Sequence, residues 1–129
     1  MKFRTTSVII GAVVGGLVAW TVVATLLNLG LRFGWPAYAA VEKAMTFTLG
    51  MQLARLAMGV LASLAAGYTA AWISRRKPIA AWVLVILLLA LFIPIHYRLW
   101  ERFPAWYHAT FILSLVVFTL LGAMRRISR

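Results

Sequence analysis

The chain has 129 residues, of which 64% are hydrophobic and only 12% are charged. A soluble domain is about half apolar, so this composition indicates an integral membrane protein and excludes a water-soluble domain with its own core. The chain has no cysteine, which excludes disulfides, thiolate metal sites and cysteine nucleophiles, and its formal charge is +11. The basic residues border the apolar runs, so we expect them to meet lipid headgroups rather than nucleic acid.

Four segments are long and apolar enough to cross a hydrocarbon core of about 30 Å, which takes about 20 residues of helix. They cover about residues 7–31, 46–74, 79–95 and 108–124. We therefore predict an all-α integral membrane protein: a single domain over residues 1–129, built as a compact bundle of four transmembrane helices in up-down-up-down order.

The distribution of Lys and Arg predicts the orientation, because short flanks rich in these residues stay in the cytoplasm. We expect both termini to be cytoplasmic and the protein to lie in a bacterial inner membrane. The predicted inner side carries Lys2, Arg4, Arg75, Arg76, Lys77, Arg125, Arg126 and Arg129. The predicted outer side carries Arg32, Lys43, Arg98 and Arg102, partly offset by Glu42 and Glu101.

The first outer connection, "WPAYAAVEKAMTF" from Trp35 to Phe47, contains helix-forming residues after a proline. Pro36 is well placed at the first position of a helix. A helix continuous with the second span would be too long for the bilayer, so we predict a short interfacial helix followed by a bend.

Small residues recur at every fourth position in the first two spans. Residues at this spacing share a helix face, and small side chains there let membrane helices approach closely. We predict that the two stripes pack against each other. The residues concerned are Gly11 and Gly15 in the first span and Gly59, Ser63 and Gly67 in the second.

Arg55 interrupts the apolar run "MQLARLAMGVLAS" on this same face, about two turns from the predicted outer end of its helix. An ionisable residue at membrane depth usually faces the bundle interior and has a partner. We predict a buried polar site in which Arg55, with Gln52 nearby, links to Glu42 or Glu101 and fixes an outer loop. In the alternative interpretation, Arg55 binds an anionic ligand.

The two histidines, His96 and His108, flank the second outer connection at positions that a helical hairpin would bring to similar depth. Two imidazoles on facing helices are what a haem or a metal ion requires, and Glu101 could add an oxygen ligand. No further histidine or metal motif supports such a site. We therefore interpret the pair as ordinary interfacial residues, and expect no cofactor and no metal.

The sequence offers little for catalysis, since it lacks an acid pair in the membrane, a credible nucleophile triad and a nucleotide-binding loop. We expect no enzyme, but an accessory, assembly or lipid-associated component that contacts membrane lipids and either a larger membrane protein or its own copies. The size resembles that of the small multidrug-resistance transporters, but the first span has no acid for their proton exchange. The alternative function is therefore a small transporter or channel subunit for an anionic or lipid-like substrate at Arg55.

Overall fold

The computed structural model of the chain describes residues 2–75 and 77–127, without the side chains of residues 2 and 3. Three members of the predicted inner basic flank are affected: Arg76 and Arg129, and the side chain of Lys2, lie outside the described residues. The described residues are helical, apart from turns and short extended connections.

The architecture consists of four long helices and one short helix. The long ones are each long and apolar enough to span a membrane, and their packing is consistent with a helical bundle, as the composition predicts. The helices are α1 (Lys2–Gly34), α2 (Pro36–Val41), α3 (Leu49–Ile73), α4 (Pro78–Arg98) and α5 (Ala105–Ile127), with a 3₁₀ turn at Trp100–Arg102 between α4 and α5.

Local chemistry explains where these helices begin. Pro36 and Pro78 occupy the first turns of α2 and α4, where a missing N–H costs no hydrogen bond. The backbone enters α3 through Thr48, whose side-chain oxygen accepts from the Met51 N–H at 3.3 Å. Because this threonine caps the helix, α3 starts at Leu49 and not at residue 46, where the predicted span begins.

The Trp35–Phe47 stretch contains the short helix and the bend that its sequence predicts. After α2 the chain turns at Met45, which has a φ of 57°. A left-handed residue is uncommon outside glycine, and here it reverses the chain between α2 and α3. Arg75, also at 57°, reverses the chain in the same way after α3.

Helix α3 is central and packs mainly against α5 and α1, while α4 packs against α5. The closest approach joins α3 and α5. A Cβ on Gly67 would clash with the backbone carbonyl of Thr119, and one on Gly122 would clash with the backbone of Leu64. Glycine at these two positions therefore lets the helix backbones touch.

The glycines of the two small-residue stripes, which the sequence predicts to pack against each other, lie against different neighbours. Gly59 lies against the Phe111 ring of α5, and Gly67 also faces α5, whereas Gly11 and Gly15 of α1 lie against the side chain of Ile73. Because a helix has 3.6 residues per turn, residues spaced four apart shift gradually around its axis. The residues of one stripe therefore face different neighbouring helices.

Ser63 is the member of the α3 stripe that contacts α1: its hydroxyl accepts a hydrogen bond from the Trp20 indole at 3.2 Å. Helix α4 is the bulkiest of the four and exposes a broad apolar face. Ile79, Trp82, Ile86, Leu91, Ile93 and Ile95 are each more than 40% exposed.

Candidate functional site

Arg55 lies on the second turn of α3 and connects three parts of the chain. Its Nη1 donates to the Tyr38 hydroxyl of α2 at 2.8 Å, and its Nε donates to the Tyr107 hydroxyl of α5 at 3.3 Å. Its guanidinium carbon also lies 4.8 Å from the centre of the Phe47 ring, within the range of a cation–π contact. Arg55 thus holds α2 and the start of α5 against α3.

The network continues from Tyr38 to α1 and the first connection. The Tyr38 hydroxyl donates to Asn28 Oδ1 at 2.7 Å, and Asn28 Nδ2 donates to Glu42 Oε2 at 2.9 Å. Arg32 Nε donates to the other Glu42 oxygen at 2.5 Å. Arg55 and Glu42 therefore belong to one network, but they are joined through a tyrosine and an asparagine and not by a direct ion pair.

Glu42 is ionised at neutral pH because its surroundings stabilise the charged form. The hydrogen bond from Arg32 lowers the pKa of the Glu42 carboxyl, partial burial opposes this, and the Asn28 amide and the charges of Arg32 and Arg55 lower it further.

The structure leaves two of the predicted polar residues outside this network. Glu101 is exposed in the 3₁₀ turn, and no hydrogen bond or ion pair joins it to Arg55 among the described residues. The Gln52 side chain, one turn before Arg55, is half-buried and makes no described hydrogen bond. Glu42, one of the two carboxylates predicted to pair with Arg55, forms its ion pair with Arg32 instead.

Sequence reasoning missed both tyrosines of this network, Tyr38 and Tyr107. They are the residues that satisfy Arg55, and both are almost fully buried. A signal was present, because tyrosine in a membrane protein pairs an apolar ring with a hydroxyl that seeks a partner. Which tyrosines reach Arg55 depends on the packing of α2 and α5.

Arg55 lines an open cavity of about 430 Å³ between α1 and α3, hereafter the arginine cavity. Its polar walls are Thr25, Asn28, Arg32, Glu42 and Arg55. The described charges there are two arginines and one carboxylate, so the cavity is net positive. A guanidinium has five N–H donors, and Arg55 uses two of them within the described residues, so the remaining donors are available to an acceptor.

Arg55 also borders a smaller and less open cavity of about 110 Å³, hereafter the enclosed cavity. Trp20, Arg55 and Met58 line both spaces. His96 and Tyr107 form part of the far wall of the enclosed cavity. The Arg55 side chain therefore stands between the open cavity and the enclosed one.

His96 and His108 are brought into contact, with their Nδ1 atoms 2.6 Å apart, and both are buried. His108 Nε2 lies 3.3 Å from the Trp100 carbonyl oxygen. The indole of Trp100 stacks on His108, with ring centres 4.9 Å apart and planes inclined by 12°.

This geometry is that of a hydrogen-bonded imidazole pair. Two nitrogens on one tetrahedral zinc ion would be about 3.3 Å apart, so the Nδ1 atoms are too close to share such an ion. Among the described residues, no group of three or more His, Cys, Asp or Glu side chains is placed to hold a metal. Among the described residues, no hydrogen bond joins Glu101 to either histidine.

Comparison with known proteins gave no match to a family, to a curated protein or to a solved structure.

Proposed function

We propose that this chain is a multi-pass protein of a bacterial inner membrane, with both termini in the cytoplasm. In this proposal it is a non-enzymatic accessory or assembly component, and it holds an anionic phospholipid in the arginine cavity. The observation that carries the proposal is the arginine cavity itself. There, Arg55 donates its hydrogen bonds to neutral hydroxyls, and the two arginines outnumber the one carboxylate, so the cavity keeps a positive charge for an anion.

The membrane location is supported by the four apolar helices and by their exposed faces. Five of the six tryptophans lie toward the two ends of the bundle, as tryptophans do at membrane interfaces, and Trp20 lies in the middle of α1. Trp72 and Trp82 lie at the end near the α3–α4 turn, and Trp35, Trp100 and Trp106 lie at the end that carries α2.

Contacts between residues support an alternating order of the four helices. The first residues of α3 contact the first residues of α5, and later residues contact later ones, as in parallel neighbours. In the pairs α1–α3 and α4–α5, early residues of one helix contact late residues of the other, as in antiparallel neighbours. The pairs are Arg55 with Tyr107, Gly67 with Thr119, Trp20 with Ser63, Gly15 with Thr69, His96 with His108 and Phe92 with Phe111.

A phospholipid headgroup suits the cavity better than a free inorganic anion does. The arginine cavity is open, and Arg32 stands at the predicted outer interface while Arg55 lies deeper. Guanidinium groups bind phosphate through paired N–H donors. The apolar part of the lining, which includes Ala24 and Leu29 of α1, would lie against the apolar part of such a lipid.

Native mass spectrometry of the protein released in mild detergent tests the proposal. We expect it to retain phosphatidylglycerol or cardiolipin and to lose at least tenfold in affinity on Arg55→Gln, since a hydrogen bond to a charged group contributes about 1.5–3 kcal/mol. Arg98→Gln is the matched control, because Arg98 is an exposed arginine outside the cavity. Equal retention by the Arg55 variant, or a preference for phosphatidylethanolamine, would contradict the proposal.

A transporter for an anionic or lipid-like substrate is the second candidate, favoured by the enclosed cavity behind Arg55. A transporter also needs a path through the inner half of the bundle, where Gly67 and Gly122 bring α3 and α5 into backbone contact.

Uptake of a fluorescent phosphatidylglycerol into proteoliposomes, abolished by Arg55→Gln, would support the transporter function. Stoichiometric recovery of a larger membrane protein in the same preparation would support the accessory function.

A further inference from the structure

The histidine pair also lines a groove between α4 and α5 with a volume of about 600 Å³, hereafter the histidine groove. This size is within the range of about 300–1,000 Å³ that ligand pockets occupy. Its lining includes Ala105 and Ala109, which present only methyl groups, and extends along α4 from Tyr97 to Leu89. Eight residues of helix give it a length of about 12 Å.

The polar groups of the histidine groove are concentrated at one end. His96 and His108 line it there, with Tyr97 and Trp100 at the rim. Tyr97 is 82% exposed and Trp100 is 55% exposed. The remaining lining consists of aliphatic side chains and alanine. A ligand that fits has an aromatic or quinoid head at the interface and a hydrocarbon tail.

The hydrogen bonds of the histidine pair define what that head must offer. The Trp100 carbonyl can only accept, so His108 Nε2 carries the proton of that contact. In a neutral His108, Nδ1 is then the acceptor, and His96 Nδ1 is the donor in the 2.6 Å contact. A neutral His96 is left with a lone pair on Nε2, an acceptor with no partner among the described residues.

That lone pair is not sealed inside the protein. Among the described side chains, the polar atoms that are both unpartnered and inaccessible are Thr119 Oγ1 and Arg126 Nε. His96 Nε2 is unpartnered but does not belong with them, so it is reachable from at least one of the two spaces that His96 lines, the histidine groove and the enclosed cavity. The enclosed cavity is too small for a ring with a tail.

We propose that the histidine groove binds an isoprenoid quinol, with a ring hydroxyl donating to His96 Nε2, the ring against Trp100, and the tail along the aliphatic part of the groove. The proposal shares the membrane location with the function proposed above, but not the arginine cavity, so either can fail alone. It concerns binding and involves no electron transfer.

The test uses the full-length protein in nanodiscs under anaerobic conditions, with decylubiquinol as the probe and tryptophan fluorescence as the readout. Probe concentration is given as a mole fraction of lipid, because the probe partitions into the bilayer. We expect saturable quenching, and at least tenfold weaker binding to Ala109→Leu, in which a larger side chain fills the groove. Ala57→Leu is the matched control, since Ala57 is an exposed alanine of α3 outside the groove.

Two comparisons of probes examine the chemistry of the head. Decylubiquinone, whose carbonyls only accept, should bind at least threefold more weakly than the quinol. Decanol, which has a tail without a ring, should not saturate. Equal binding of quinol and quinone, saturation by decanol, or wild-type affinity in Ala109→Leu would each overturn the proposal.

Imidazole ¹⁵N resonances give a second readout, since His96 and His108 are the only two histidines of the chain. Decylubiquinol should shift the unprotonated Nε2 signal of His96 and leave the protonated Nε2 of His108 in place. No shift at saturating quinol would overturn the proposal, whatever the fluorescence result.

Discussion

Arg55 shows how a charge is accommodated in an apolar helix without a carboxylate beside it. Two tyrosine hydroxyls accept from its guanidinium, and the Phe47 ring faces it. The hydroxyl groups satisfy two of the five donors and leave the positive charge, so we interpret the residue as both a structural tie and a site for an anion. The same side chain is thus compatible with both interpretations made from the sequence, a structural link to a loop and a binding site for an anionic ligand.

Replacing Arg55 with alanine should lower the melting temperature in detergent. The Tyr107 hydroxyl would lose its described partner, and an unsatisfied buried polar group costs about 1–3 kcal/mol. Arg98→Ala, which removes an exposed arginine, is the control and should melt like the wild type. Unchanged melting of the Arg55 variant would show that Arg55 does not hold α2 and α5 in place.

Glu42 should make stability depend on pH on the acidic side. Its pKa is lower in the folded protein than its ordinary value of 4.5, chiefly because Arg32 donates to it. The resulting stabilisation is therefore fully present above that ordinary value, and is lost as the pH falls through the lowered folded pKa.

Thermal unfolding in detergent between pH 3 and 7 measures this dependence. Glu42→Gln should remove part of the loss of stability that the wild type shows at the acidic end. The Glu101→Gln control, at an exposed carboxylate in the 3₁₀ turn, should unfold with the pH profile of the wild type. Parallel profiles for wild type and Glu42→Gln would show that the carboxylate contributes nothing to folding.

At the scale of the elements, the connections at the α2 end are fixed to the helices by side chains. Tyr38 anchors α2 to Arg55 and Asn28, and Arg102 from the 3₁₀ turn donates to the Ala44 carbonyl at 3.3 Å. Farther along, helices α3 and α5 also meet through backbone proximity, which depends on Gly67 and Gly122.

The glycine contacts predict a contrast between two identical substitutions. Gly67→Ala should destabilise the protein by several kcal/mol or prevent its folding, because the new methyl group would meet the Thr119 carbonyl. Gly30→Ala has nothing within 4 Å of the new atom and should gain up to about 1 kcal/mol from helix propensity. Thermal unfolding of the two variants in detergent checks this, and equal behaviour would contradict the close contact of α3 and α5.

At the scale of the whole molecule, the orientation proposed from Lys and Arg can be tested with single cysteines, because the natural chain has none. A membrane-impermeant maleimide applied to intact spheroplasts should label Ala44→Cys and spare Lys77→Cys. Both positions are exposed, so lysis should allow both to react. The reverse pattern would place the termini outside, and labelling of both in intact cells would indicate dual topology.

The candidate site was predictable in part. The sequence placed Arg55, Glu42 and both histidines toward one end of the bundle, because ionisable residues are rare enough in apolar helices to be conspicuous. It could not tell which partner each would meet. Two carboxylates lay within reach of Arg55 in the sequence, and the structure uses neither directly.

The sequence by itself determined the class of structure: 20-residue apolar runs must be helices where no water can satisfy the backbone, and prolines and a capping threonine mark where those helices begin. Only the tertiary structure decided the partners. The division of the α3 stripe between α1 and α5, the two tyrosines on Arg55 and the contact of His96 with His108 all depend on how the helices are rotated against one another. Helix rotation is set by the fit of many side chains at once, and this information is not contained in the periodicity of any single helix.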